Sequence, residues 1–471
     1  MYFEHIYERG LAQASYFIGC QVTKEAIVID PKRDIDTYLK IAGIKYKITH
    51  IAETHIHADF LSGSRELANA TGADIYLSDE GGNDWQYKYP HTGIRNGDVI
   101  KVGNVKLEVL HTPGHTPEHI SFLLTDTKNS DKPVMIFTGD FVFVGDIGRP
   151  DLLERAAGMK GTMENGARQM YESLKRFKSL PDYIQIWPGH GAGSACGKSL
   201  GAVPSSTVGY EKIVNWALQI KDEEEFIQKI LEGQPEPPKY FKMMKKMNKF
   251  GPELLNKIKL PPKLSVEQFR KAYNKDYYVI DTRDKESFAE EHIEGSINIQ
   301  NNSAFSNWAG WILKYDEPFA LIASDDRIED INKKLLRIGL DNVFGYFDDI
   351  TILKNNGFAT SGIDIISTDQ MKEKISDSFI LDTRNKSEYD EGFIPGAEHI
   401  FTGYIEDNLN NLPKDRDIIT YCTSGDRSGI AASILKANGF KNVSNYSAGI
   451  AGWRKARMEL ERREKVLSLK N

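Results

Sequence analysis

The second half of this 471-residue chain contains an internal repeat, which constrains its fold more than any other feature. Residues 277–299, YYVIDTRDKESFAEEHIEGSINI, align with residues 378–400, SFILDTRNKSEYDEGFIPGAEHI, at an offset of 101. Residues 324–343 align with residues 424–443 at an offset of 100. A period of about 100 residues is the size of a domain and is too long for a solenoid repeat. The repeat therefore predicts two copies of one small α/β domain, each with a parallel sheet.

The two copies differ at the position that would carry chemistry. In the second copy, Cys422 follows the strand pattern DIITY, and the segment CTSGDRSG then opens a helix. Backbone N–H groups, a helix N-terminus and Arg427 beside the sulfur would lower the pKa of the thiol and stabilise anionic sulfur. The aligned residue of the first copy is Ile322. We therefore expect the first copy to keep the scaffold without the sulfur chemistry.

The D-T-R turn, the paired segments HIEGSINI and FIPGAEHI and the six-residue loop from cysteine to arginine resemble a tandem rhodanese. The resemblance implies a cysteine-less domain at residues 262–362 and an active domain at residues 363–471. In that family the loop cysteine becomes a persulfide and passes its outer sulfur to an acceptor. Carried over to this chain, the nucleophile is Cys422, and the residues expected to cradle its sulfur are Ser424, Gly425, Arg427 and Ser428.

The first half of the chain has the pattern of a metal site. Nine of the eleven histidines lie before residue 191. Several apolar runs end in polar loops of the kind that carry catalytic groups, and these loops contain His55, His57, Asp59, His115, Asp140 and His190. A hydrolase with two zinc ions usually has a histidine directly after the aspartate, but this chain has Phe60, which cannot coordinate a metal. We therefore predict one metal ion and an empty second site.

From the residues alone, two ligand sets remain open for that single ion. His55, His57 and His115 would form a three-histidine zinc site. His55, His115 and Asp140 would form the face of two histidines and one carboxylate that is favoured by non-haem Fe(II) oxygenases. The spacing of the residues does not distinguish the two sets.

The segments THIHADF, PGHTPEH, TGDFVFVGDIGRPDL and PGHGAGSACG resemble the metallo-β-lactamase superfamily, and within it the persulfide dioxygenase branch. The resemblance covers residues 1–245 and implies an N-terminal αββα fold, so that the whole chain is a multidomain α/β protein. It also implies one Fe(II) per chain, with zinc as the alternative, held by His55, His115 and Asp140.

The same resemblance suggests roles for further residues. Groups that orient the ligands and bound water would be His57, Asp59 and His190. Arg149 and Asp151 match residues near the iron in that branch. We expect them to bind an anionic group of the substrate or to form a structural ion pair.

Together, the resemblances imply a persulfide dioxygenase fused to a rhodanese. The first half would oxidise a low-molecular-weight thiol persulfide with O2 to sulfite and thiol. The last domain would then pass sulfane sulfur through Cys422 to sulfite, which gives thiosulfate. Glutathione, coenzyme A, bacillithiol and cysteine all remain open as the thiol. The alternative is a two-zinc thioester hydrolase of the glyoxalase II type, fused to a module that binds a sulfur carrier.

The other two cysteines receive different expectations. Cys196 follows His190 by six residues, and we expect it at the mouth of the metal pocket with a catalytic role in handling sulfur. Cys20 ends the strand-like segment SYFIGC and is expected to be a buried structural thiol. Three widely spaced cysteines do not form a disulfide framework, which favours a reducing compartment.

Composition excludes several classes of partner. A net charge of −7 argues against nucleic acid, because phosphate contacts need a basic surface. No apolar run reaches the length of about 18 residues that a membrane span requires, and the start of the chain has no leader pattern. We expect a cytoplasmic homo-oligomer whose metal domain, residues 1–245, is joined to the rhodanese pair by a linker at residues 246–261. The segment around this linker is expected to be solvated and to pack its methionines on a neighbour.

Overall fold

The computed structural model describes residues 1–157, 161–198, 200–255, 260–275 and 277–462. The expected linker and the expected active domain therefore extend, at residues 256–259 and 463–471, outside the described residues. The chain forms two compact units: Met1–Lys259 with Lys333–Asp341, and Leu260–Asn332 with Asn342–Asn471. Within the described ranges, no helix is both long enough and apolar enough to cross a bilayer.

The first unit is built on two six-stranded sheets. The first sheet has its strands in chain order: β1 (Tyr2–Glu8), β2 (Gln13–Gly19), β3 (Glu25–Ile29), β4 (Lys47–Ala52), β5 (Asp74–Ser78) and β6 (Thr92–Ile94). The second sheet also has its strands in chain order: β7 (Val99–Val102), β8 (Val105–His111), β9 (Ile120–Asp126), β10 (Met135–Gly139), β11 (Gln185–Pro188) and β12 (Ser206–Thr207). Alternation along β2 shows how the layers form, because Tyr16 and Ile18 belong to the core shared with the second sheet, whereas Phe17 faces the other way.

Helices cover the outer face of each sheet. The helices of this unit are α1 (Asp36–Ala42), α2 (Ser64–Thr71), α3 (Leu152–Ala157), α4 (Thr162–Lys178), α5 (Val208–Val214), α6 (Trp216–Gln219), α7 (Glu223–Leu231) and α8 (Phe241–Phe250), with a 3-10 helix at Asn83–Trp85. Tyr38 of α1 and Leu67 of α2 share a core with Phe17. Met170 of α4 and Phe226 of α7 share another with the second sheet. These layers have the predicted αββα order.

Helix α8 occupies part of the segment that was expected to connect the domains and to pack its methionines on a neighbour. Phe241, Met244 and Asn248 are buried at spacings of three and four residues, which places them on one face of the helix. Residues 246–250, expected in the linker, therefore belong to a packed helix of the first unit.

The segment Lys333–Asp341 lies in the first repeat copy by sequence but belongs to the first unit. Two crossed ion pairs attach it. The Arg33 guanidinium, 1% exposed, donates to both carboxylate oxygens of Asp341 at 2.6 and 2.8 Å. Arg337 donates in the same way to Asp34 at 2.8 and 2.6 Å. The carbonyl of Arg337 also accepts a hydrogen bond from the N–H of Leu61 at 2.6 Å, beside Phe60.

The second unit contains two parallel sheets, one for each repeat copy. The first has the order β15-β13-β16-β17 and the second the order β19-β23-β22-β20-β21, while β14 and β18 form a small antiparallel pair. The strands of the first copy are β13 (Tyr278–Asp281), β14 (His292–Ile293), β15 (Ile297–Asn298), β16 (Phe319–Ile322), β17 (Val343–Phe347) and β18 (Thr360–Ser361). Those of the second are β19 (Asp364–Ile365), β20 (Phe379–Asp382), β21 (Glu398–His399), β22 (Ile418–Tyr421) and β23 (Val443–Tyr446). The prediction of two α/β domains with parallel sheets is confirmed.

Helices connect the strands of both copies. In the first copy they are α9 (Val266–Tyr273), α10 (Lys285–Glu290), α11 (Phe305–Ile312), α12 (Ile328–Leu336) and α13 (Ile350–Asn355). In the second they are α14 (Thr368–Lys374), α15 (Lys386–Glu391), α16 (Asp426–Ala437) and α17 (Gly449–Lys455), with 3-10 helices at Thr402–Tyr404 and Glu406–Asn411.

Strand register corrects the alignment of the two copies. Asp281 pairs with Ile322 in the first copy, and the corresponding Asp382 pairs with Tyr421 in the second. Ile322 is therefore the counterpart of Tyr421, and the residue in the place of Cys422 is Ala323. The sequence alignment missed this because the loop from Ala323 to Arg327 is one residue shorter than the loop from Cys422 to Arg427.

Candidate metal centre and sulfur-transfer loop

The loop at residues 53–63 leaves β4 and is fixed by buried polar groups. Asp30, which follows β3, accepts hydrogen bonds from the backbone N–H and the hydroxyl of Thr54 at 2.8 and 2.9 Å. Glu118 accepts one from the N–H of Ile56 at 2.8 Å. Asp30 has a φ of +50°, in the left-handed region that residues other than glycine rarely adopt. Neither Asp30 nor Glu118 was identified from sequence.

Asn248 of α8 closes the other side of this loop. Its side-chain amide donates to the carbonyls of His57 and Phe60 at 2.9 and 2.7 Å and accepts from the N–H of Ser62 at 2.9 Å. All three contacts are buried. One side chain thus satisfies three backbone groups of the loop.

We expect Asn248→Ala to lower the free energy of unfolding by about 2–3 kcal/mol, because it leaves three buried backbone groups without partners. Denaturant unfolding of the full chain measures the change. Lys246→Ala, on the exposed side of the same helix, is the matched control. Equal effects of the two substitutions would contradict the role of Asn248.

Donor atoms of His55, His115 and Asp140 face one another. They lie within 4.8 Å of each other, and both the Nε2 of His115 and the Nε2 of His55 approach the Oδ2 of Asp140, at 3.6 and 3.8 Å. His55 Nε2 and Asp140 Oδ2 are buried and have no hydrogen-bond partner within the described residues. Unpartnered buried donors of this kind fit a metal ion, because two imidazole nitrogens and a carboxylate form a ligand set for divalent metals.

The remaining atoms of these side chains are held by neighbours. His55 Nδ1 contacts the Thr54 hydroxyl at 2.9 Å, and His115 Nδ1 contacts the Arg149 carbonyl at 2.9 Å. Asp140 Oδ1 pairs with His190 Nδ1 at 2.7 Å. These contacts fix the orientation of each ring and of the carboxylate.

Electrostatics give the three groups the protonation states that bind metals. Burial and the charge of His57 lower the pKa of His55 well below its usual value, and burial also lowers the pKa of His115. Burial acts to raise the pKa of Asp140, but His190 outweighs it and holds that pKa below its usual range. The site therefore offers two neutral imidazoles and one carboxylate.

His57 differs from His55 and His115 in its hydrogen-bond partner and in the direction of its pKa shift. Its Nε2 pairs with Asp30 at 3.1 Å. Burial lowers the pKa of His57, but the Asp30 carboxylate outweighs it and raises that pKa to about 9. The donor atoms of His55, His115 and Asp140 form a group within 4.8 Å of one another that does not include His57, so this geometry favours that set over the three-histidine set. The Phe60 ring lies 4.3 Å from the ring of His57 and is buried.

A second group of donor atoms lies beside the first, formed by Asp59, His190 and Cys196 within 4.8 Å of one another. His190 Nε2 pairs with Asp59 at 2.6 Å, so that this ring joins the carboxylates of Asp59 and Asp140. Cys196 is 1% exposed and does not lie at a pocket mouth, which corrects the expectation for this residue. Burial and the charges of Asp140 and Asp59 raise the pKa of Cys196 well above its usual value.

Arg149 and Asp151 form the structural ion pair rather than a substrate site. The guanidinium donates twice to the Asp151 carboxylate, at 2.7 Å each, and once to the carbonyl of Ala195 at 3.2 Å. Arg149 and Asp151 are 0% and 1% exposed. Both charges are used within the protein, so the expected contact with an anionic substrate is not supported.

Lys245 of α8 is a further charged residue near the metal centre that the sequence interpretation missed. Its Nζ lies 4.3 Å from the ring centre of Trp85. Burial lowers the pKa of Lys245 to about 8, against the opposing effect of Glu118 and Cys196. The spacing of Phe241, Met244 and Asn248 was the available signal that this segment packs.

The sulfur-transfer loop begins where β22 ends. Cys422 is 1% exposed, and its sulfur accepts a hydrogen bond from the N–H of Gly425 at 3.1 Å. The Ser428 oxygen lies 3.5 Å from the sulfur, and its hydroxyl donates to the Asn445 amide oxygen at 2.7 Å. Gly425 has a φ of +91°, and a Cβ there would lie 2.7 Å from the carbonyl oxygen of Ser447. The loop therefore requires glycine at this position in order to direct its N–H toward the sulfur. Ser424 contributes its backbone to the loop.

Arg427 is anchored at the rim of this loop. Its guanidinium donates to both oxygens of Glu388 at 2.5 and 2.8 Å and to the Thr423 hydroxyl at 2.7 Å. Burial acts to raise the pKa of Glu388, but Arg427 outweighs it and holds that pKa at about 2. The arginine is thus paired with a carboxylate, in addition to lying near Cys422. Cys20, at the end of β2, is buried as expected.

Two family models match the chain. The model described as Metallo-beta-lactamase superfamily matches residues 9–190, and the model described as Rhodanese-like domain matches residues 265–356 and 367–456. The predicted fold class is confirmed by these matches.

Individual proteins are similar over different parts of the chain. The crystal structure of a metallo-beta-lactamase from Staphylococcus aureus subsp. aureus COL is 47% identical, with a TM-score of 0.67, and the match covers 74% of this chain and 98% of that chain. The structure of ETHE1 from Myxococcus xanthus is 29% identical, with a TM-score of 0.44, over 53% of this chain and 98% of that chain. A hydroxyacylglutathione hydrolase from Rhodospirillum rubrum is 29% identical over 37% of this chain, which spans 60% of the length of that relative.

Proposed function

We propose that this chain, which belongs to the metallo-beta-lactamase superfamily and carries two rhodanese-like domains, is a non-haem Fe(II) persulfide dioxygenase joined to a sulfurtransferase. The observation that carries the proposal is the set of facing donor atoms from His55, His115 and Asp140. Two imidazoles and one carboxylate, with the other positions open, are the ligand set of Fe(II) oxygenases. When bound there, Fe(II) would supply the redox chemistry that joins O2 to sulfur.

The protein's own residues prepare that site. His190 and the Arg149 carbonyl hold Asp140 and His115 in orientation. Phe60, which is buried beside His57, contributes an apolar wall that helps to exclude water. The overall conversion takes one thiol persulfide, O2 and water to thiol, sulfite and two protons.

Cys422 accounts for the second step. A thiol persulfide passes its outer sulfur to the Cys422 thiolate, and the original thiol leaves with the electron pair of the broken S–S bond. A lone pair of sulfite then attacks the outer sulfur held on Cys422, which forms thiosulfate and returns the thiolate. The N–H of Gly425 stabilises the anionic sulfur during both exchanges. Two persulfides thereby give one thiosulfate.

The proposal is tested by oxygen uptake. Iron-replete protein is given synthetic persulfides of glutathione, coenzyme A, bacillithiol and cysteine, and sulfite and thiosulfate are quantified. We expect persulfide-dependent oxygen consumption, with thiosulfate as the main product when persulfide is in excess. No oxygen uptake with any of the four carriers would contradict the proposal.

A two-zinc thioester hydrolase is the second candidate, and one observation favours it. Asp59, His190 and Cys196 gather beside the first ligand set, although Phe60 takes the place of a histidine. The relative named hydroxyacylglutathione hydrolase supports the same candidate. Two zinc ions per chain, with hydrolysis of glutathione thioesters and no oxygen uptake, would establish it in place of the dioxygenase.

Phe60→His tests whether one added ligand lets the second donor group bind a metal ion. The new imidazole would stand next to Asp59 and add a nitrogen ligand. We expect the bound metal to rise from about one to about two ions per chain when the protein is loaded with zinc. Phe60→Leu, which removes the ring without adding a ligand, is the control. Two zinc ions in the unaltered protein would remove the premise.

A further inference from the structure

The first repeat copy lacks the cysteine but places a charged side chain on the sulfur-transfer loop of the second. Lys285 begins α10, directly after the D-T-R turn of the first copy. Its Nζ donates to the Ser424 carbonyl at 3.0 Å and to the Asp426 carboxylate at 2.5 Å. The Lys285 side chain is 17% exposed, so it is held against the loop rather than extended into solvent.

Other contacts of the first copy keep Lys285 in place. The N–H of Asn298, in β15, donates to the Ser433 hydroxyl of α16 at 3.1 Å. The Gln300 amide lies 3.5 Å from the same Asp426 oxygen that Lys285 contacts. Lys285 therefore belongs to a set of contacts between the first copy and helix α16, which follows the sulfur-transfer loop.

The charges around the loop explain why a lysine is needed. The positive charge of Arg427 is paired with Glu388, which leaves Asp426 as a negative group at the start of α16. Asp426 is 50% exposed and lies four residues from Cys422. Without Lys285, Arg427, Glu388 and Asp426 would together carry a charge of −1 and would repel an approaching sulfur oxyanion.

We propose that Lys285 is a specificity-determining residue for sulfur transfer, which neutralises Asp426 and so admits anionic sulfur donors and acceptors to Cys422. The inference rests on the proposed transfer activity of Cys422. It gives the cysteine-less copy a function in the chemistry of its neighbour. The substrate class is the small dianionic sulfur oxyanion, of which thiosulfate and sulfite are members.

The loading step shows where the charge acts. The Cys422 thiolate attacks the outer sulfur of thiosulfate, the S–S bond breaks, and sulfite leaves with the electron pair. A dianion must approach the loop and another dianion must leave it. Dithiothreitol attacks loaded Cys422 through its thiolate, which carries one negative charge, so Lys285 should affect that step much less than the approach of a dianion.

The repeat supplies a matched control for this lysine. Lys386 follows the D-T-R turn of the second copy at the aligned position, but it pairs with Asp390 on its own helix. Its side chain is 49% exposed. Lys386→Gln therefore removes the same charge from the same place in the domain without changing the loop.

The experiment measures loading of Cys422 by thiosulfate and unloading by dithiothreitol, in single turnovers of the full chain. In Lys285→Gln we expect loading to slow about fivefold at low salt and less at high salt, because screening weakens charge effects. Unloading should remain within twofold of the unaltered protein, as should both steps in Lys386→Gln. Adding Asp426→Asn to Lys285→Gln should restore loading, because it removes the unpaired negative charge.

Three results would overturn the inference: unchanged loading in Lys285→Gln, equal slowing of loading and unloading, or no recovery in the double variant. Failure of the underlying function has a different appearance. In that case Cys422 of the unaltered protein would take up no sulfur from thiosulfate. The mass of the protein would then not increase by one sulfur atom, and this is measured before any variant is compared.

Discussion

Replacing Asp140 with alanine is expected to abolish oxygen consumption while sulfur transfer from thiosulfate continues. The substitution removes one of three facing donor atoms, and the two remaining imidazoles are too few to retain Fe(II). Loss of a group that merely orients a ligand costs about 10- to 100-fold, so loss of a ligand should lower persulfide-dependent oxygen uptake roughly 100-fold or more. Metal analysis and an oxygen electrode, applied to one preparation, measure both effects.

Asp131→Ala, at an exposed aspartate nine residues earlier, is the control for this variant. It should keep its iron and its oxygen uptake. Full oxygen uptake in Asp140→Ala would remove Asp140 from the ligand set. Loss of both oxygen uptake and sulfur transfer would mean that the two sites are not independent.

Cys422→Ser is expected to have the opposite profile. Serine fits the same buried position, but its hydroxyl neither ionises near neutral pH nor carries transferable sulfur. Transfer from thiosulfate to cyanide should fall by about 1,000-fold or more. Oxygen uptake should persist, and the product of persulfide oxidation should change from thiosulfate to sulfite. Ion chromatography of the products, together with a cyanolysis assay, measures the change.

Cys20→Ser serves as the control, since Cys20 lies in the core of the first unit. It should leave sulfur transfer intact. If Cys422→Ser transferred sulfur at the normal rate, the rhodanese pair would be better explained as a module that binds a sulfur carrier.

The sulfur-transfer loop could be predicted from sequence because it is local. A buried strand, a loop and a helix follow one another within residues 418–437, so the surroundings of Cys422 are contained in one continuous segment. The ion pair between Arg149 and Asp151 could be anticipated for the same reason, because the two residues are close in sequence. Ion pairs between residues two apart recur among the described residues, for example between Asp281 and Arg283 and between Asp382 and Arg384.

The membership of Cys196 in the second donor group could not be predicted, because it depends on how distant loops fold together. Cys196 lies 137 residues after Asp59. Spacing indicates neither that it is buried nor that it faces His190. Lys245 was missed for a related reason. A segment rich in lysine and methionine has the composition of an exposed helix, and its buried face becomes evident only from the residues of the first unit that pack against it.

The shorter loop of the first copy has a consequence for how the two copies diverged. Between the strand end and the arginine, the first copy has one residue fewer, and it has aspartate rather than glycine at the turn. A cysteine introduced at Ala323 would lack the glycine whose N–H donates to the Cys422 sulfur in the second copy. A single substitution at Ala323 therefore does not recreate the sulfur-binding loop in the first copy.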